Sequence, residues 1–375
     1  MYIRIVHKKL VTVKILLFPF AVIYGFIVWF RNRMFDHGFL KSKEFNIPII
    51  SVGNITVGGT GKTPHVEYLV KLLYNTHKIS VLSRGYKRTE KGIIEATEAS
   101  TGYQIGDEPK QIKQKFPDAS VIVSGNRVKA INKIIAGKIG NTPDVIILDD
   151  AFQHRYVQPG LSILLMDFNR PIYDDHIMPY GRLRESASEQ SRANIVIITK
   201  APATIKPIER RIIYKNLNLY PYQTLLFSYL KYGELIPLLP ELKKITLNIC
   251  KENDFAVLLL TGIANPAPLK EYLENYCSQI FELQYPDHYR YAPKDLVKIT
   301  NQFSNIEADN KIIITTEKDA VRLRDVDNIE ENMLPIYYIP IEIGFIDDKE
   351  HEFDKKVTSY IYTNRKKSGL NHSTL

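Results

Sequence analysis

The residues Ile47–Val52 (IPIISV) run directly into Gly53–Pro64 (GNITVGGTGKTP), a glycine-rich segment that ends in Gly-Lys-Thr-Pro. The apolar run predicts a buried strand, and the Gly-Lys-Thr after the glycines predicts the start of a helix. In such an arrangement the backbone N–H groups of the turn and the N-terminus of the helix point at a bound phosphate. The segment therefore predicts a phosphate-binding loop between a strand and a helix.

The loop contains the candidate nucleotide-binding residues. Lys62 is expected to reach the β- and γ-phosphates, and the Thr63 hydroxyl is expected to ligate Mg²⁺. The first glycine of the general G-x-x-x-x-G-K-[ST] pattern falls on Thr56, and the lysine that marks the loop of membrane-linked ATPases is replaced by Val57. The complete set of candidate residues for the nucleotide is Thr56, Val57, Gly58, Gly59, Thr60, Gly61, Lys62 and Thr63.

A second apolar run ends in two carboxylates. Val145–Leu148 is followed by Asp149 and Asp150, as in a Walker B strand that organises a metal ion beside a phosphate-binding loop. Taken alone, the pattern is better explained by an ordinary strand that ends in a helix-capping Asp. Next to the loop, however, the pair favours an ATP-type Mg²⁺ site formed by Thr63, Asp149 and Asp150.

The rest of the chain predicts an α/β architecture in which short β-branched runs alternate with helical stretches. Apolar strands without polar alternation indicate a P-loop NTPase-type parallel sheet that is covered on both faces. The predicted strands beyond the two above are Ile79–Ser83, Val121–Ser124, Leu161–Met166 and Ile195–Thr199, and the predicted helices are Pro64–Tyr74 and Arg127–Lys138.

We expect five segments along the chain. Residues 1–34 form a basic, apolar membrane helix and residues 35–220 a P-loop kinase domain. Residues 221–250 form a hairpin linker from Thr224–Tyr229 and Glu234–Leu239, residues 251–350 a smaller α/β lobe, and residues 351–375 a polar basic tail.

The net charge of +9 over 375 residues is carried by the two ends of the chain. Residues 1–33 carry +6 and residues 351–375 carry +3, which leaves residues 34–350 neutral. A nucleic-acid groove along the folded core is therefore disfavoured. With 24% charged and 11% aromatic residues, a wholly disordered or fibrous chain is excluded.

The N-terminal charge flanks an uncharged run from Ile15 to Phe30. As a helix this run would be about 24 Å long, which is shorter than a hydrocarbon core of about 30 Å. Cations at both ends of an apolar helix suit anionic lipid headgroups. The pattern predicts membrane association, and both a spanning and an interfacial placement stay open.

A phosphate-binding loop of this kind is compatible with three classes of protein: a switch GTPase, a delivery ATPase and a kinase. GTPases recognise guanine with Asn-Lys-x-Asp, whereas the comparable turn here is Thr199–Pro202 (TKAP), which lacks the Asp and favours ATP. Polar clusters near predicted strand ends could serve a kinase, since it needs a base and cations. Asp107 beside Pro109 could equally cap a helix, and His288 could be a surface histidine.

Taken together, these motifs resemble the tetraacyldisaccharide 4′-kinases of lipid A biosynthesis. The resemblance runs from the apolar N-terminus to about residue 325. It is carried by GNITVGGTGKTP (53–64), SRGY (83–86), GDEP (106–109), DDAFQHR (149–155), GRLRE (181–185), TGIANP (261–266), DHY (287–289) and TTEKDAVRL (315–323).

The resemblance implies an activity and a location. The family transfers the γ-phosphate of ATP to the 4′-hydroxyl of an acylated glucosamine disaccharide 1-phosphate, at the cytoplasmic face of the inner membrane. The loop and the two acids already predict ATP and Mg²⁺, and the flanking cations predict a membrane surface with anionic lipids as partner; neither nucleic acid nor an obligate protein partner is expected.

The resemblance also implies residue roles. Asp107 matches the catalytic base and is paired with His288, although the two fall in different predicted lobes, so a closing motion is expected to bring them together. Arg184 and Glu185 match a further active-site pair. Arg127 and His154 match polar active-site positions, and Asp149 and Asp150 match the metal-linked acids.

Two other classes of protein remain as alternatives. One is a membrane-targeting P-loop ATPase that hydrolyses ATP to move or dock a partner, without a phospholipid product. The other is a basic nucleic-acid-binding protein, which the neutral core disfavours most strongly.

Overall fold

The structure is a computed structural model that describes the backbone of residues 2–327, 329–330 and 333–372, and the side chains from residue 16 to residue 364 within those ranges. The helices are α1 (Tyr2–Asp36), α2 (Lys62–Leu73), α3 (Gly102–Ile105), α4 (Asp107–Lys115), α5 (Arg127–Ile135), α6 (Pro207–Leu217), α7 (Leu247–Glu252), α8 (Ala267–Leu273), α9 (Pro293–Ser304), α10 (Glu317–Leu323) and α11 (Glu350–His372). The strands are β1 (Ile49–Gly53), β2 (Ile79–Ser83), β3 (Ile94–Glu95), β4 (Ser120–Val123), β5 (Val145–Asp149), β6 (Leu161–Asp167), β7 (Ile195–Thr199), β8 (Thr224–Tyr232), β9 (Ile236–Pro237), β10 (Ala256–Thr261), β11 (Gln279–Gln284), β12 (Lys311–Thr316), β13 (Ile336–Ile339) and β14 (Ile341–Phe345).

The first compact unit comprises residues 1–84, 118–230 and 343–375. Its strands lie in the order β14-β8-β7-β6-β1-β5-β2-β4, and those from β8 to β4 pair in parallel. β1, β2, β5, β6 and β7 are buried along their whole length, as expected for a parallel sheet covered on both faces. The predicted α/β class with a parallel sheet is confirmed.

The second unit comprises residues 85–117 and 231–342. Its strands lie in the order β11-β10-β12-β13-β9, with β9 antiparallel to β13 and the other pairs parallel. Ala256, Leu258 and Leu260 of β10 belong to one apolar cluster, and Val257 and Leu259 belong to another. Since neighbouring strand residues point to opposite faces, both faces of this smaller sheet are covered.

The segment 85–117 groups with the second unit, whereas the sequence placed it in the kinase domain. The reason is a set of ion pairs between α4 and α10 that sequence order does not reveal. Lys318 Nζ lies 2.6 Å from Glu108 Oε1, and Lys115 Nζ lies 3.2 Å from Glu317 Oε1. α4 is therefore fixed to a helix that comes about two hundred positions later in the chain.

The predicted hairpin linker at residues 221–250 is wrong. β8 joins the first sheet, where Ile195 pairs in parallel with Thr224. β9 joins the second sheet, where Pro237 lies opposite Tyr337. The two strands cannot form a hairpin because each is paired with a different sheet. This part of the chain therefore connects the first unit to the second.

The segment predicted as a polar tail forms most of α11. Phe353, Val357 and Ile361 recur every four residues and are buried, which gives the helix an apolar stripe. Tyr360 on the same helix accepts a hydrogen bond from Ile49 N at 2.9 Å and lies 3.1 Å from Ile49 O. The basic side chains from residue 365 onward lie outside the described residues.

Helix α1 packs one narrow stripe against the first unit and leaves the rest of its apolar surface exposed. Ala21, Asn32 and Phe35 are buried, at spacings that place them along one side of the helix. Exposed apolar side chains on α1 are Leu16, Phe18, Phe20, Val22, Ile23, Phe26, Ile27, Trp29 and Phe30. Among the described residues, no helix combines the length and apolar character needed to cross a membrane.

Candidate active site

The predicted phosphate-binding loop connects the end of β1 to the start of α2. Gly61, immediately before the helix, has φ +80°, and Gly58 has φ +112°. A side chain is strained at such angles, so glycine is needed at both positions. Gly61 is the N-cap of α2 and has no side chain to occupy the free N–H groups of the first turn. Those groups stay available for an anion.

The loop is held by its neighbours in the first unit. Asn54 Nδ2 donates to Thr60 Oγ1 at 2.8 Å, and the Thr199 hydroxyl donates to Thr60 O at 2.9 Å. Gln153 Nε2 donates to Asn54 O at 2.7 Å. The loop backbone is therefore fixed before any ligand binds, which lowers the entropy cost of binding.

Thr56, the departure from the general glycine pattern, has a structural reason. It is buried and forms an antiparallel bridge with Leu183. On either side of that bridge, Arg184 N donates to Ile55 O at 2.7 Å and Val57 N donates to Arg182 O at 2.9 Å. The segment 181–185 is thus paired with the phosphate-binding loop as a short ladder, which needs an extended residue at position 56.

His65 on α2 is a residue that the sequence analysis missed. It is buried, with Nδ1 2.7 Å from Gly61 O and Nε2 3.0 Å from the Ser228 hydroxyl. Because a carbonyl oxygen only accepts, Nδ1 carries the proton and supports Gly61 from behind. Burial lowers the pKa of His65 to about 4, so the ring is neutral at physiological pH.

Lys62 and Arg184 converge on Asp150. Lys62 Nζ and Arg184 Nη1 each lie 3.5 Å from Asp150 Oδ1. Asp150 has φ +48°, a left-handed conformation that turns the chain sharply at the end of β5. Two cations and one carboxylate at the end of a loop that offers free N–H groups form a site for a highly charged anion.

Asp149 and Asp150 also fit a magnesium ion. Asp149 Oδ2 accepts a hydrogen bond from the Ser83 hydroxyl at 2.9 Å, whereas Asp150 Oδ1 has only the two ion pairs at 3.5 Å and accepts no hydrogen bond. Within the described part of the chain no cluster of three or more His, Cys, Asp or Glu could hold a metal by itself. Mg²⁺ bound with nucleotide phosphates needs only one or two protein carboxylates, however. Asp149, Asp150 and Thr63 would hold the ion, and its charge would offset that of the phosphates.

Arg127 lies behind this site. Its Nη2 donates to Asp149 O at 2.9 Å and to Asp150 O at 3.0 Å, and its side chain is buried. Burial lowers its pKa, against the opposing effect of the two carboxylates. These contacts indicate that Arg127 positions the end of β5. His154 nearby has a pKa lowered to about 4 by burial and by neighbouring arginines.

Glu185 is also placed away from solvent. Its side chain is 1% exposed and forms an ion pair with Arg192 through Oε2, which also accepts from Asn32 Nδ2 at 3.0 Å. These contacts tie the Glu185 Oε2 atom to Arg192 and to helix α1, next to the loop residue Arg184, while Oε1 is buried without a hydrogen-bond partner.

The second unit brings together Asp107 and His288. Asp107 Oδ2 lies 3.5 Å from His288 Nδ1 and accepts a hydrogen bond from Arg322 Nε at 2.8 Å. The sequence had placed Asp107 and His288 in different lobes, but both belong to the second unit. They are neighbours without any closing motion, so the expected closure is not needed to form this pair.

The Asp107 carboxylate is held in its ionised form. Burial raises its pKa, but the positive charges of Arg322, which donates a hydrogen bond to it, and of Lys318 outweigh burial and lower the pKa to about 2. His288 has φ +59° and its N–H donates to Gly262 O at 3.2 Å, which fixes the backbone beside the ring.

The loop after β1 is shaped for nucleotide phosphates, so the first unit has the site of a P-loop nucleotide-binding protein. Comparison with known proteins identifies the family. Residues 13–362 match the family model described as LpxK, tetraacyldisaccharide-1-P 4′-kinase. The chain belongs to this family.

Similar proteins agree with this assignment. Proteins named tetraacyldisaccharide 4′-kinase are 46% identical in Bacteroides thetaiotaomicron, over 94% of this chain and 95% of that protein, and 41% identical in Porphyromonas gingivalis, over 92% and 96%. A crystal structure of LpxK from Aquifex aeolicus in complex with ATP superposes with a TM-score of 0.70 at 28% identity, covering 93% of this chain and 99% of that one.

Proposed function

We propose that the chain transfers the γ-phosphate of ATP to the 4′-hydroxyl of an acylated glucosamine disaccharide 1-phosphate, forming the bis-phosphorylated lipid A precursor. Family membership supports the reaction and its cofactors, ATP and Mg²⁺. The observation that carries the residue assignment is the Asp107–His288 contact at 3.5 Å, since it supplies a base that simple nucleotide binding does not require.

The first unit holds the nucleotide in this proposal. Backbone N–H groups of Gly58–Thr63 bind the phosphates, and Lys62 and Arg184 neutralise the charge that develops on the transferred group. Their ion pairs with Asp150 keep both cations at the end of β5 before ATP binds. Arg127 and Glu185 support the loops that carry these groups.

Asp107 acts on the acceptor. The 4′-oxygen forms a bond to the γ-phosphorus, the bond from that phosphorus to the β,γ-bridging oxygen breaks, and the hydroxyl proton passes to the Asp107 carboxylate. Its low pKa makes it an orienting anion more than a strong base. That suits phosphoryl transfer, in which the transition state is loose and depends on positioning and charge.

Helix α1 is proposed to lie at the cytoplasmic face of the inner membrane, so that the acyl chains of the substrate stay in the bilayer. Phe18, Phe20, Phe26, Trp29 and Phe30 are each between 50% and 62% exposed, which is unusual for side chains of this size. Exposed aromatic residues next to Arg33 suit an interface with anionic headgroups.

The residue assignment is tested by Asp107→Ala and His288→Ala, with Asp309→Ala as the control because that carboxylate is exposed on the same unit. We expect each active-site variant to lose activity by about 100-fold and the control to keep it. If both variants keep kcat/KM for the lipid within about twofold of the wild-type value, the roles of Asp107 and His288 are wrong. ATP hydrolysis that ignores the acylated disaccharide would instead support a docking ATPase.

A further inference from the structure

Arg322 on α10 contacts both members of the Asp107–His288 pair. Its Nε donates to Asp107 Oδ2 at 2.8 Å, and its Nη2 lies 3.3 Å from His288 Nδ1. Its Nη1 donates to Gly262 O at 2.9 Å and to Asp319 Oδ1 at 2.8 Å. The Arg322 side chain is only 4% exposed, so its polar contacts are made inside the protein.

The far side of the guanidinium is fixed by a buried carboxylate. Asp319 is fully buried and accepts hydrogen bonds from the Thr316 hydroxyl at 2.7 Å and from Gly262 N at 2.9 Å. A Cβ at Gly262 would lie only 2.9 Å from Asp319 Oδ1. A residue with a side chain at position 262 would therefore be too close to this carboxylate. These contacts set the orientation of Arg322 independently of Asp107.

The contact between Arg322 and His288 selects one form of the imidazole. A guanidinium can only donate hydrogen bonds, so His288 Nδ1 must accept, and the proton of the neutral ring is then on Nε2. If Arg322 were absent, Nδ1 could carry the proton and donate it towards Asp107 Oδ2, 3.5 Å away. Arg322 and His288 therefore compete as donors to the same carboxylate oxygen.

The selected form leaves Nε2–H as the only donor of the neutral ring. Asp287 Oδ2 lies 3.9 Å from Nε2, which is beyond hydrogen-bonding distance. The Tyr86 ring meets the imidazole edge-on, with centroids 5.4 Å apart. In this arrangement His288 is free to donate from Nε2 to a bound substrate, while Arg322 takes over the orientation of Asp107.

We propose that Arg322 is a positioning residue that orients the Asp107 carboxylate and holds neutral His288 as its Nε2–H tautomer. This inference rests on the proposed roles of Asp107 and His288. Arg322 lies within the TTEKDAVRL motif, but the motif alone predicts no role for it, because its partner Asp107 lies 215 positions earlier in the chain.

The leading test is Arg322→Lys in the full-length protein. Lysine keeps the positive charge that Asp319 needs, but its single nitrogen cannot reproduce the fork that meets Asp107, Asp319 and His288 together. The protonation of the His288 ring nitrogens is read from long-range ¹H–¹⁵N spectra, with His288→Ala to assign the signals. Arg324→Lys is the matched control. Arg324 is the C-cap residue of the same helix, and its guanidinium carbon lies 5.1 Å from the centre of the Tyr338 ring.

We expect the wild type and Arg324→Lys to show the Nε2–H form, and Arg322→Lys to shift towards Nδ1–H. We also expect Arg322→Lys to lower kcat by about 30-fold while KM for ATP stays within about twofold. The double variant Arg322→Met/Asp319→Asn, which removes the buried charge of Asp319 together with that of Arg322, should show the same tautomer shift.

An unchanged Nε2–H signal and unchanged kcat in the folded Arg322→Lys protein would overturn the inference. That result is distinguishable from failure of the proposed function. If Asp107→Ala keeps full activity, the proposed role of Asp107 fails, whereas the tautomer measurement still reports whether Arg322 controls His288.

Discussion

Asn32 on α1 donates a hydrogen bond to the buried Glu185 carboxylate, with 3.0 Å between Nδ2 and Oε2. A second bond, from the Tyr24 hydroxyl to Arg184 O at 3.1 Å, joins the same helix to the preceding residue of the same loop. The apolar helix is therefore connected, through two side chains, to the loop that presents Arg184. Helix α1 thus also helps to place the loop of the phosphate site.

Glu185→Ala leaves Arg192, which is 21% exposed, without its closest carboxylate and removes a buried polar contact, and we expect the free energy of unfolding to fall by about 3 kcal/mol. kcat should fall as well, because the Arg184 loop loses its anchor. Thermal unfolding and steady-state kinetics measure both effects.

The control is Glu189→Ala, which removes the more exposed partner of the same arginine, 2.8 Å from Arg192 Nε. That change should cost about 0.5 kcal/mol and leave kcat unaltered. Equal effects of the two substitutions would show that the buried contact with Asn32 has no special weight.

Lys62→Met tests the phosphate-binding loop. Loss of the cation that faces Asp150 should lower kcat by about 100-fold or more, because charge on the transferred phosphoryl group is no longer offset. KM for the lipid should stay within about twofold, since the acceptor is handled elsewhere. Lys71→Met on the exposed side of the same helix is the comparison, and a similar loss there would point to a general effect on α2.

The double substitution Phe26→Ser/Phe30→Ser tests membrane association. The two rings stack 6.3 Å apart on the exposed side of α1. Removing them should weaken binding to vesicles that contain anionic lipid by about tenfold or more, as measured by co-sedimentation. Phe281→Ser removes a comparably exposed aromatic residue from β11 and should have no effect. Unchanged sedimentation of the double variant would rule out the proposed surface.

Because His65 is buried, we expect the free energy of unfolding to depend on pH. Burial depresses its pKa to about 4 in the folded protein, from 6.5 when unfolded. Between these values the unfolded state binds more protons, so stability rises with pH and falls as pH drops from 6.5 towards 4, by about 3 kcal/mol for this group. His65→Asn keeps a donor for Gly61 O but cannot titrate. Urea unfolding at several pH values in this window should give a shallower slope for the variant, and identical slopes would remove His65 as the cause.

The sequence predicted those parts of the fold that depend on residues close together in the chain. A strand, a glycine-rich turn and a helix follow one another within residues 47–74, so neighbouring residues determine the loop. The same holds for β5 and its two terminal carboxylates. Phe353, Val357 and Ile361 recur every four residues, but most of the residues around them are polar. The segment was therefore predicted as a tail and not as a helix.

The parts that the sequence did not predict depend on partners far away in the chain. The family resemblance assigns Glu185 to the active site, but local sequence does not predict its hydrogen bond with Asn32, 153 residues earlier. Arg322 meets Asp107 across 215 positions. The separate sheets of β8 and β9 follow from pairing with β7 and β13, which a hairpin-like spacing cannot reveal.

The most direct test is incubation of the purified protein with ATP, Mg²⁺ and an acylated glucosamine disaccharide 1-phosphate, followed by mass spectrometry of the lipid. We predict a product heavier by one phosphate group, located on the 4′-oxygen by fragmentation, and no product with Lys62→Met. ATP consumption without any gain in lipid mass would contradict the account.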